Sequence, residues 1–420
     1  MSERLRDDCF ALPPGIDWTP VDQALGLLRA GMRCVTGIEE VALAEAAGRI
    51  LAAPVVARRS NPPAANSAID GYAFAWASLG GAAEGDLALT NGRAAAGHPY
   101  AGTVPPGAAL RILTGADLPM GADTVVLQED SVVAGGRVRF HAPRKRGANS
   151  RKAGEDAEAG VEALPAGRRL TPADLARAAA VGADRLAVRR RLRLGVLSTG
   201  DELLQPGADP AAPGVFDANR PMLATLAVSQ GFEVVDLGAV ADQPDLVRAA
   251  LDRGAAEADA IVTTGGASAG DEDHVSRIMA EEGRITTWRI AVKPGRPLAL
   301  GFWRGVPVFG LPGNPVAAFV CFLIFARPAL SVMAGAGWRE AQGFAVPAGF
   351  EKAKKPGRRE YLRARMRPDG HVEVFHSEGS GLIGGLCWAD GLVELPDDAV
   401  TIRTGDPVRY LPYSSFGLSP

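Results

Sequence analysis

The chain has 420 residues, 47% hydrophobic and 22% charged, a balance that suits folded globular domains and excludes long disorder or a fibrous repeat. Its 45 basic and 48 acidic residues leave a formal net charge of -3, so no global field favours nucleic acid or an anionic membrane surface. At this length about three domains of ordinary size are expected, each with its own core.

The N-terminal MSERLRDDCFALPPG is charged and broken by Pro13 and Pro14, unlike the apolar stretch of a secretory signal, so export is not expected. Cys9, Cys34, Cys321 and Cys387 lie far apart with no CxxC pair, which fits a reducing, cytoplasmic compartment. Thr19 and Pro20 offer an N-cap and a first helical residue, and Val21, Ala24, Leu25 and Leu28 recur on one helical face. The same start signal returns at Thr171 and Pro172, in a helix running toward Gly182. Between these helical segments (15–56 and 146–190), residues 57–145 break into DLALT, ALRILTG, DTVVLQ and RVRFHAP, punctuated by PPG, GAD and GG. That pattern reads as a small inserted β domain. The basic stretch PRKRGANSRKAGED at 143–156 reads as a solvated connector, with a surface for an anionic ligand as the alternative.

Residues 191–335 change character. LRLGVLSTG, FEVVDLGAV, DAIVTTGG and VPVFGLPG are apolar runs alternating with helical patterns, which predicts a parallel sheet covered on both faces. The most apolar run, VAAFVCFLIFA at 316–326, is too short to span a bilayer and is followed by Arg327 and Pro328, so it reads as a buried core helix. In 336–420, YLRARM, HVEVFH, GLVELP and TIRTGDPVRYLP alternate in period two and predict a second small β domain. The fold class is therefore α/β plus β.

In an open α/β sheet, ligands sit at the carboxyl ends of the strands, where loops and helix N-termini meet anions. The first such loop, STGDEL, carries Gly200, Asp201 and Glu202. The third, TTGGASAGDED, places Gly265, Gly266 and Gly270 around Ser268, ahead of Asp271, Glu272 and Asp273. The last, LPGNP, offers Asn314 as a cap and Pro315 as a helix start, and AVKPGRP puts Lys293 and Arg296 on a turn. Carboxylates beside glycine loops and two cations suit a phosphorylated substrate with bound magnesium, held by some of Asp201, Glu202, Asp271 and Asp273. The five histidines show no ligand spacing for zinc. GASAG at 266–270 also satisfies the GxSxG elbow of serine hydrolases. Against that rival, only two strands of this domain precede it, no HGGG segment appears, and no triad partners are evident.

The ordered set NSAIDGY (66–72), RILTGADLPMGADTVV (111–126), STGDEL (198–203), TTGGASAGDED (263–273), KPGRP (293–297) and LPGNPV (311–316) resembles the MoeA family, whose eukaryotic relative is the E domain of gephyrin. NRPML at 219–223 and EGSG at 378–381 extend the likeness over nearly the whole chain. The resemblance implies an elongated homodimer of four parts: a helical linker domain, the inserted β domain, a molybdopterin-binding α/β domain and a C-terminal β barrel. It implies an enzyme that inserts molybdate into molybdopterin, using adenylyl-molybdopterin and releasing AMP, with an active site shared between subunits. Asp70 and Thr114 in the inserted domain, with Glu202, Asp242, Asp273, Lys293 and Arg296, then map to positions tied to activity. Asp156 and Ser380 map to positions tied to substrate, and Gly265, Gly266, Ser268, Pro312 and Pro315 are expected to line it.

On this likeness magnesium would polarise the pyrophosphate, Lys293 and Arg296 would offset its charge, and molybdate would sit near the LPGNP helix start. Transient partners would be the molybdopterin adenylyltransferase and molybdoenzyme maturation proteins, with neither nucleic acid nor membrane. Arg296 stands where the family often has lysine, Ala64 and Ala65 where it has Phe and Asp, and Gly384 and Gly385 where serines are common. An adenylyltransferase acting one step earlier would share the glycine-rich loop but lacks the two β domains. A scaffold without turnover is the remaining alternative, and the intact charged loops favour the enzyme.

Overall fold

A computed structural model of the chain describes residues 18–265, 274–295 and 297–418. The chain divides into two compact units. The first comprises residues up to 39, 48–52 and 187 onward; the second comprises 40–47 and 53–186. Helix α1 (Val21–Gly31) buries Val21, Ala24 and Leu28 in the main core of the first unit, as its periodicity requires. Its start differs from expectation by one residue. Pro20 remains extended and Thr19 makes no cap, because Thr19 is buried in a backbone bridge to Ile290 and its carbonyl accepts from the Ala291 amide at 2.9 Å.

The second unit is built on six strands: β1 (Gly71–Phe74), β2 (Glu84–Ala94), β3 (Ala108–Ile112), β4 (Thr124–Leu127), β5 (Ser131–Ala134) and β6 (Arg137–His141). Their order is β4-β1-β3-β2-β6-β5, with only β2 and β3 parallel. Period-two alternation sends Ala73, Leu110 and Val125 to one apolar cluster and Phe74, Ala109 and Val126 to another, so both faces of the sheet are covered. Gly71 admits no side chain: a Cβ there would lie 1.8 Å from the Val126 carbonyl oxygen. Helix α2 (Pro172–Ala180) starts as read, on a capping box between Thr171 and Asp174, and Gly182 beyond it takes φ +88°.

In the first unit, β7 (Arg193–Thr199), β8 (Glu233–Val240), β9 (Ala260–Thr264), β10 (Arg284–Arg289), β11 (Pro297–Trp303) and β12 (Val306–Leu311) form one sheet in the order β8-β7-β9-β12-β11-β10. The first four are parallel, as the sequence suggests, but β11 runs antiparallel to both its neighbours, β12 and β10, so the sheet is mixed. The reason is the two-residue turn Arg304-Gly305, with φ +48° and +82°, which folds β11 directly back into β12. Helices α3 (Asn219–Ser229) and α6 (Pro315–Cys321) cover one face; α4 (Pro244–Glu257) and α5 (His274–Glu282) cover the other.

Helix α6 continues through a π turn (Phe322–Ala326) into α7 (Arg327–Met333). Pro328 has no amide to give, and the Arg327 amide reaches back five residues to the Phe322 carbonyl. Among the described residues, Pro315–Met333 is the one helical stretch long and apolar enough to cross a membrane, and it is core: 83% of its apolar window is buried.

The remaining strands, β13 (Phe344–Pro347), β14 (Arg359–Met366), β15 (Gly391–Leu395) and β16 (Pro407–Pro412), pair antiparallel along the path β14-β15-β16-β13. The short strand Val372–Val374 pairs with the far end of β14, and a bridge between Val372 and Ala348, the residue after β13, links the two ends of this path. The short strand Val292–Lys293 lies parallel to β14 with Lys293 opposite Glu360, and this pairing brings the KPG turn to the C-terminal sheet.

Candidate active site

The carboxyl ends of the four parallel strands bring their loops to one edge of the sheet. The Gly200 amide donates to the Val240 carbonyl at 3.2 Å, and Asp201 Oδ1 accepts from the Asp242 amide at 2.9 Å, so the first two loops are tied through a carboxylate. Glu202 folds back over Gly200, where a Cβ would meet its carboxylate at 2.6 Å. Gly265 takes φ +85°, and a Cβ there would lie 2.4 Å from the Thr199 carbonyl oxygen; glycine is required for the loop to pass so close to β7. Gly313 of LPGNP packs against Gly265, its Cβ direction pointing at the Gly265 Cα 3.8 Å away. Asn219, the first residue of α3, donates from Nδ2 to Thr264 Oγ1 at 2.7 Å and to the Gly313 carbonyl at 2.6 Å. Asn219 Oδ1, and Ser198 Oγ, Thr199 Oγ1 and Thr263 Oγ1 near the ends of β7 and β9, are buried without a hydrogen-bond partner among the described residues.

This edge continues into a cavity of about 220 Å³ whose lining includes Lys293, Val316, Lys352, Arg363 and Glu378. The link is short: a Cβ on Gly295 would touch Cys321 Sγ, Pro312 and Ala317, so the KPG turn rests on the start of α6. Lys293 and Lys352 both pair with Glu378, and they lie 3.6 Å and 3.3 Å from the two oxygens of the buried Glu360. Hydrogen bonds from Lys293 and Lys352 hold the Glu378 carboxyl down at about 2. Burial works to lower the Lys352 pKa, but Glu378 and Glu360 outweigh it and the net shift is upward, keeping the ammonium charged. Arg363, buried in β14 and stacked 4.8 Å over the Phe375 ring, donates to the carbonyls of Leu382 at 2.7 Å, Gly379 at 3.1 Å and Ser377. Gly385, where serine is common in the family, is explained here. A Cβ would lie 2.6 Å from Arg363 Nη1 and 2.8 Å from the Phe375 ring.

The structure thus gathers Asp201, Glu202, Asp242, Gly265 and Pro312 along the strand-end edge, and joins Lys293, Pro315 and Ser380 to it through the start of α6. Ser380 enters by its backbone: its carbonyl accepts the Val316 amide at 3.0 Å. That bond uses a donor of the LPGNP helix start, and Pro315 has none, so this start offers less to molybdate than the sequence suggested. Gly266, Ser268, Asp271, Asp273 and Arg296 lie outside the described residues.

In the second unit, Asp70 Oδ1 accepts from the Thr114 amide at 2.7 Å and from Thr114 Oγ1 at 2.6 Å. These bonds, the hydroxyl first, lower the Asp70 pKa. Asp156 is engaged elsewhere in that unit, by Asn61 Nδ2 at 3.1 Å and Arg177 Nη1 at 3.2 Å, in a GED turn near the end of the stretch read as a connector. Sequence reasoning missed Asn219, Lys352, Glu360, Arg363 and Glu378 as individual residues, although NRPML and EGSG contain two of them.

A doubly covered α/β sheet with glycine loops and polar side chains at its carboxyl edge, joined to a lysine-lined cavity, defines a binding domain for a phosphorylated, anionic ligand. Residues 195–332 match the family described as "Probable molybdopterin binding domain". Residues 19–182 match "MoeA N-terminal region (domain I and II)" and 345–413 match "MoeA C-terminal region (domain IV)". The chain belongs to the MoeA family, as its motifs suggested. It is 32% identical over 401 residues to a molybdopterin molybdenumtransferase of Haemophilus influenzae, covering 94% of this chain and 98% of that one. A protein of the same name from a Nostoc species is 34% identical, with coverage of 89% and 88%. A crystal structure of the molybdopterin biosynthesis MoeA protein of Pyrococcus horikoshii OT3 superposes with a TM-score of 0.82 at 27% identity, covering 94% of this chain and all of that one.

Proposed function

We propose that this chain is a molybdopterin molybdenumtransferase of molybdenum cofactor biosynthesis, which converts adenylyl-molybdopterin and molybdate to the metal-loaded cofactor and AMP. The observation that carries the reading is the junction at the start of α6. There a glycine-loop edge suited to a phosphorylated pterin meets a cavity in which two lysines converge. The pterin phosphates lie along Gly265, Gly313 and Thr264, where Asn219 holds the Thr264 hydroxyl and the Gly313 carbonyl. The oxyanion lies in the cavity, between Lys293 and Lys352. Lysine is a suitable partner for a tetrahedral oxyanion, because its charge is compact and its three donors rotate.

Magnesium needs only one or two carboxylates beside the oxygens of a phosphorylated substrate. Asp201 and Glu202 are such donors, Asp201 engaging the Asp242 amide through one of its oxygens. They are the described members of the expected donor set, and an ion held by them would be completed by the substrate's own oxygens. When bound there, magnesium supplies charge neutralisation at the phosphates. The chain's own residues position: the glycine loops admit the phosphates, Lys293 and Lys352 hold the second anion nearby, and the lysine charges oppose the negative charge that develops as AMP departs.

A homodimeric assembly and a cytoplasmic location are part of the same reading. The decisive experiment incubates the purified chain with adenylyl-molybdopterin, magnesium and molybdate and follows AMP. Release that depends on molybdate supports the proposal; release indifferent to molybdate, or none, overturns it.

A further inference from the structure

The cavity between Lys293 and Lys352 holds a carboxylate belonging to the chain itself. Glu378 pairs with both lysines, and its side chain is 46% exposed, whereas the second acid there, Glu360, is 10% exposed and anchored in β14. The two acids therefore differ in what they can do: Glu360 is largely shut off from water, and Glu378 is open to it. The backbone on either side of Glu378 is fixed. Arg363 grips the carbonyls of Ser377, Gly379 and Leu382, and the Ser380 carbonyl is held by the Val316 amide. Departure of the Glu378 carboxylate then requires rotation of one side chain and no rearrangement of the loop.

Charge makes the consequence definite. Among the described residues, Lys293, Lys352 and Arg363 stand against Glu351, Glu360 and Glu378, three charges of each sign that sum to zero, so the cavity as it stands exerts little pull on an anion. With Glu378 turned out to water the balance becomes positive, and among the described residues Lys293 and Lys352 keep Glu360 as their shared ion-pair partner. A dianion entering that space replaces both of the pairs that Glu378 gives up, and a monoanion does so less completely.

Building on the reading of this cavity as the oxyanion site, we propose that Glu378 is an internal competitor for it. A tetrahedral dianion enters by displacing the Glu378 carboxylate from Lys293 and Lys352, and the residue at 378 sets which oxyanions are accepted.

The test is equilibrium dialysis of molybdate, sulfate and nitrate against the full chain, comparing the natural protein with Glu378→Gln and Glu378→Asp. Glutamine preserves size and removes the competing charge. Glu378→Gln is expected to bind molybdate at least about tenfold more tightly, a factor equivalent to about 1.4 kcal/mol, and to gain measurable affinity for nitrate. Glu378→Asp, one methylene shorter, is expected to fall between. A merely structural role would weaken binding or lower the melting temperature, so a gain in affinity separates the two. Unchanged or weaker molybdate binding by a folded Glu378→Gln overturns the proposal while leaving the cavity reading intact. Molybdate binding that is indifferent to Lys352→Met, in contrast, places the oxyanion elsewhere and overturns the cavity reading itself.

Discussion

Asn219→Ala should separate stability from turnover. Asn219 ties the end of β9 to the loop after β12 through two hydrogen bonds, to Thr264 Oγ1 and to the Gly313 carbonyl. Each such bond contributes a net 0.5–1.5 kcal/mol on the order-of-magnitude scale for proteins, so about 2 kcal/mol is at stake. Two features reduce it. Thr264 Oγ1 keeps a long contact of 3.5 Å with the Pro312 carbonyl, and the buried Asn219 Oδ1, which has no partner among the described residues, is removed along with the amide. A loss of about 1 kcal/mol remains, equivalent to roughly 2–4 °C in the melting temperature of a unit this size. Turnover should suffer far more, because the two loops that frame the phosphates lose their common tether, and a misplacement of about 1 Å costs on the order of 100-fold. Asn219→Asp should be at least as damaging, since it sets an acceptor against the Gly313 carbonyl. Melting temperature and molybdate-dependent AMP release are measured on one preparation of each variant. Natural turnover in Asn219→Ala, or a loss of turnover no larger than the loss of folded protein explains, would refute this account of the edge.

Three further outcomes are expected. Gly265→Ala forces a Cβ into a left-handed conformation and against the Thr199 carbonyl, and should destabilise the first unit by about 3 kcal/mol in urea titration; a loss below about 1 kcal/mol would show that the loop moves freely. Thr114→Val removes the hydroxyl that lowers the Asp70 pKa while keeping the backbone amide, so the carboxyl should titrate closer to its ordinary 3.8 in carbon NMR. Because the folded-state pKa of Asp70 is depressed, its stabilising contribution is present above 3.8 and is lost as the pH falls through the folded value; the variant should lose less on acidification. Gly385→Ser pushes on Arg363 and Phe375 and should accelerate amide hydrogen exchange through 377–382, at a cost of about 1–2 kcal/mol; unchanged exchange would mean that Arg363 does not hold that loop.

The sequence carried the repetitive parts of this fold well, because burial on alternate sides leaves a local signature. Ala109 and Leu110, or Val125 and Val126, point to different cores and read as strand at once. The reversed strand β11 was passed over although a signal was present: Arg304-Gly305 between two apolar runs is a hairpin turn, the one that joins β11 to β12. Thr19 looked like a cap because threonine before proline usually is one, and a backbone bridge to a residue far along the chain overrode it. The lysine cavity was the hardest part to see. Lys293 and Glu378 stand 85 positions apart, and Lys352 lies in a run, EKAKKPG, that reads as solvated surface. One local clue existed, since Arg363 interrupts the apolar pattern of YLRARM, and a charge inside a strand usually has a dedicated partner. The contact between Asp70 and Thr114 was legible only through the family motifs, because nothing in their spacing pairs them.

The grip of Arg363 has a practical consequence for engineering. It holds the loop by carbonyl oxygens, a group that every amino acid supplies, so the path of 377–382 does not depend on which side chains the loop carries. A library randomised at 378 and 380 would therefore explore new chemistry at the mouth of the cavity on an inherited backbone, and inactive members would report on recognition rather than on misfolding.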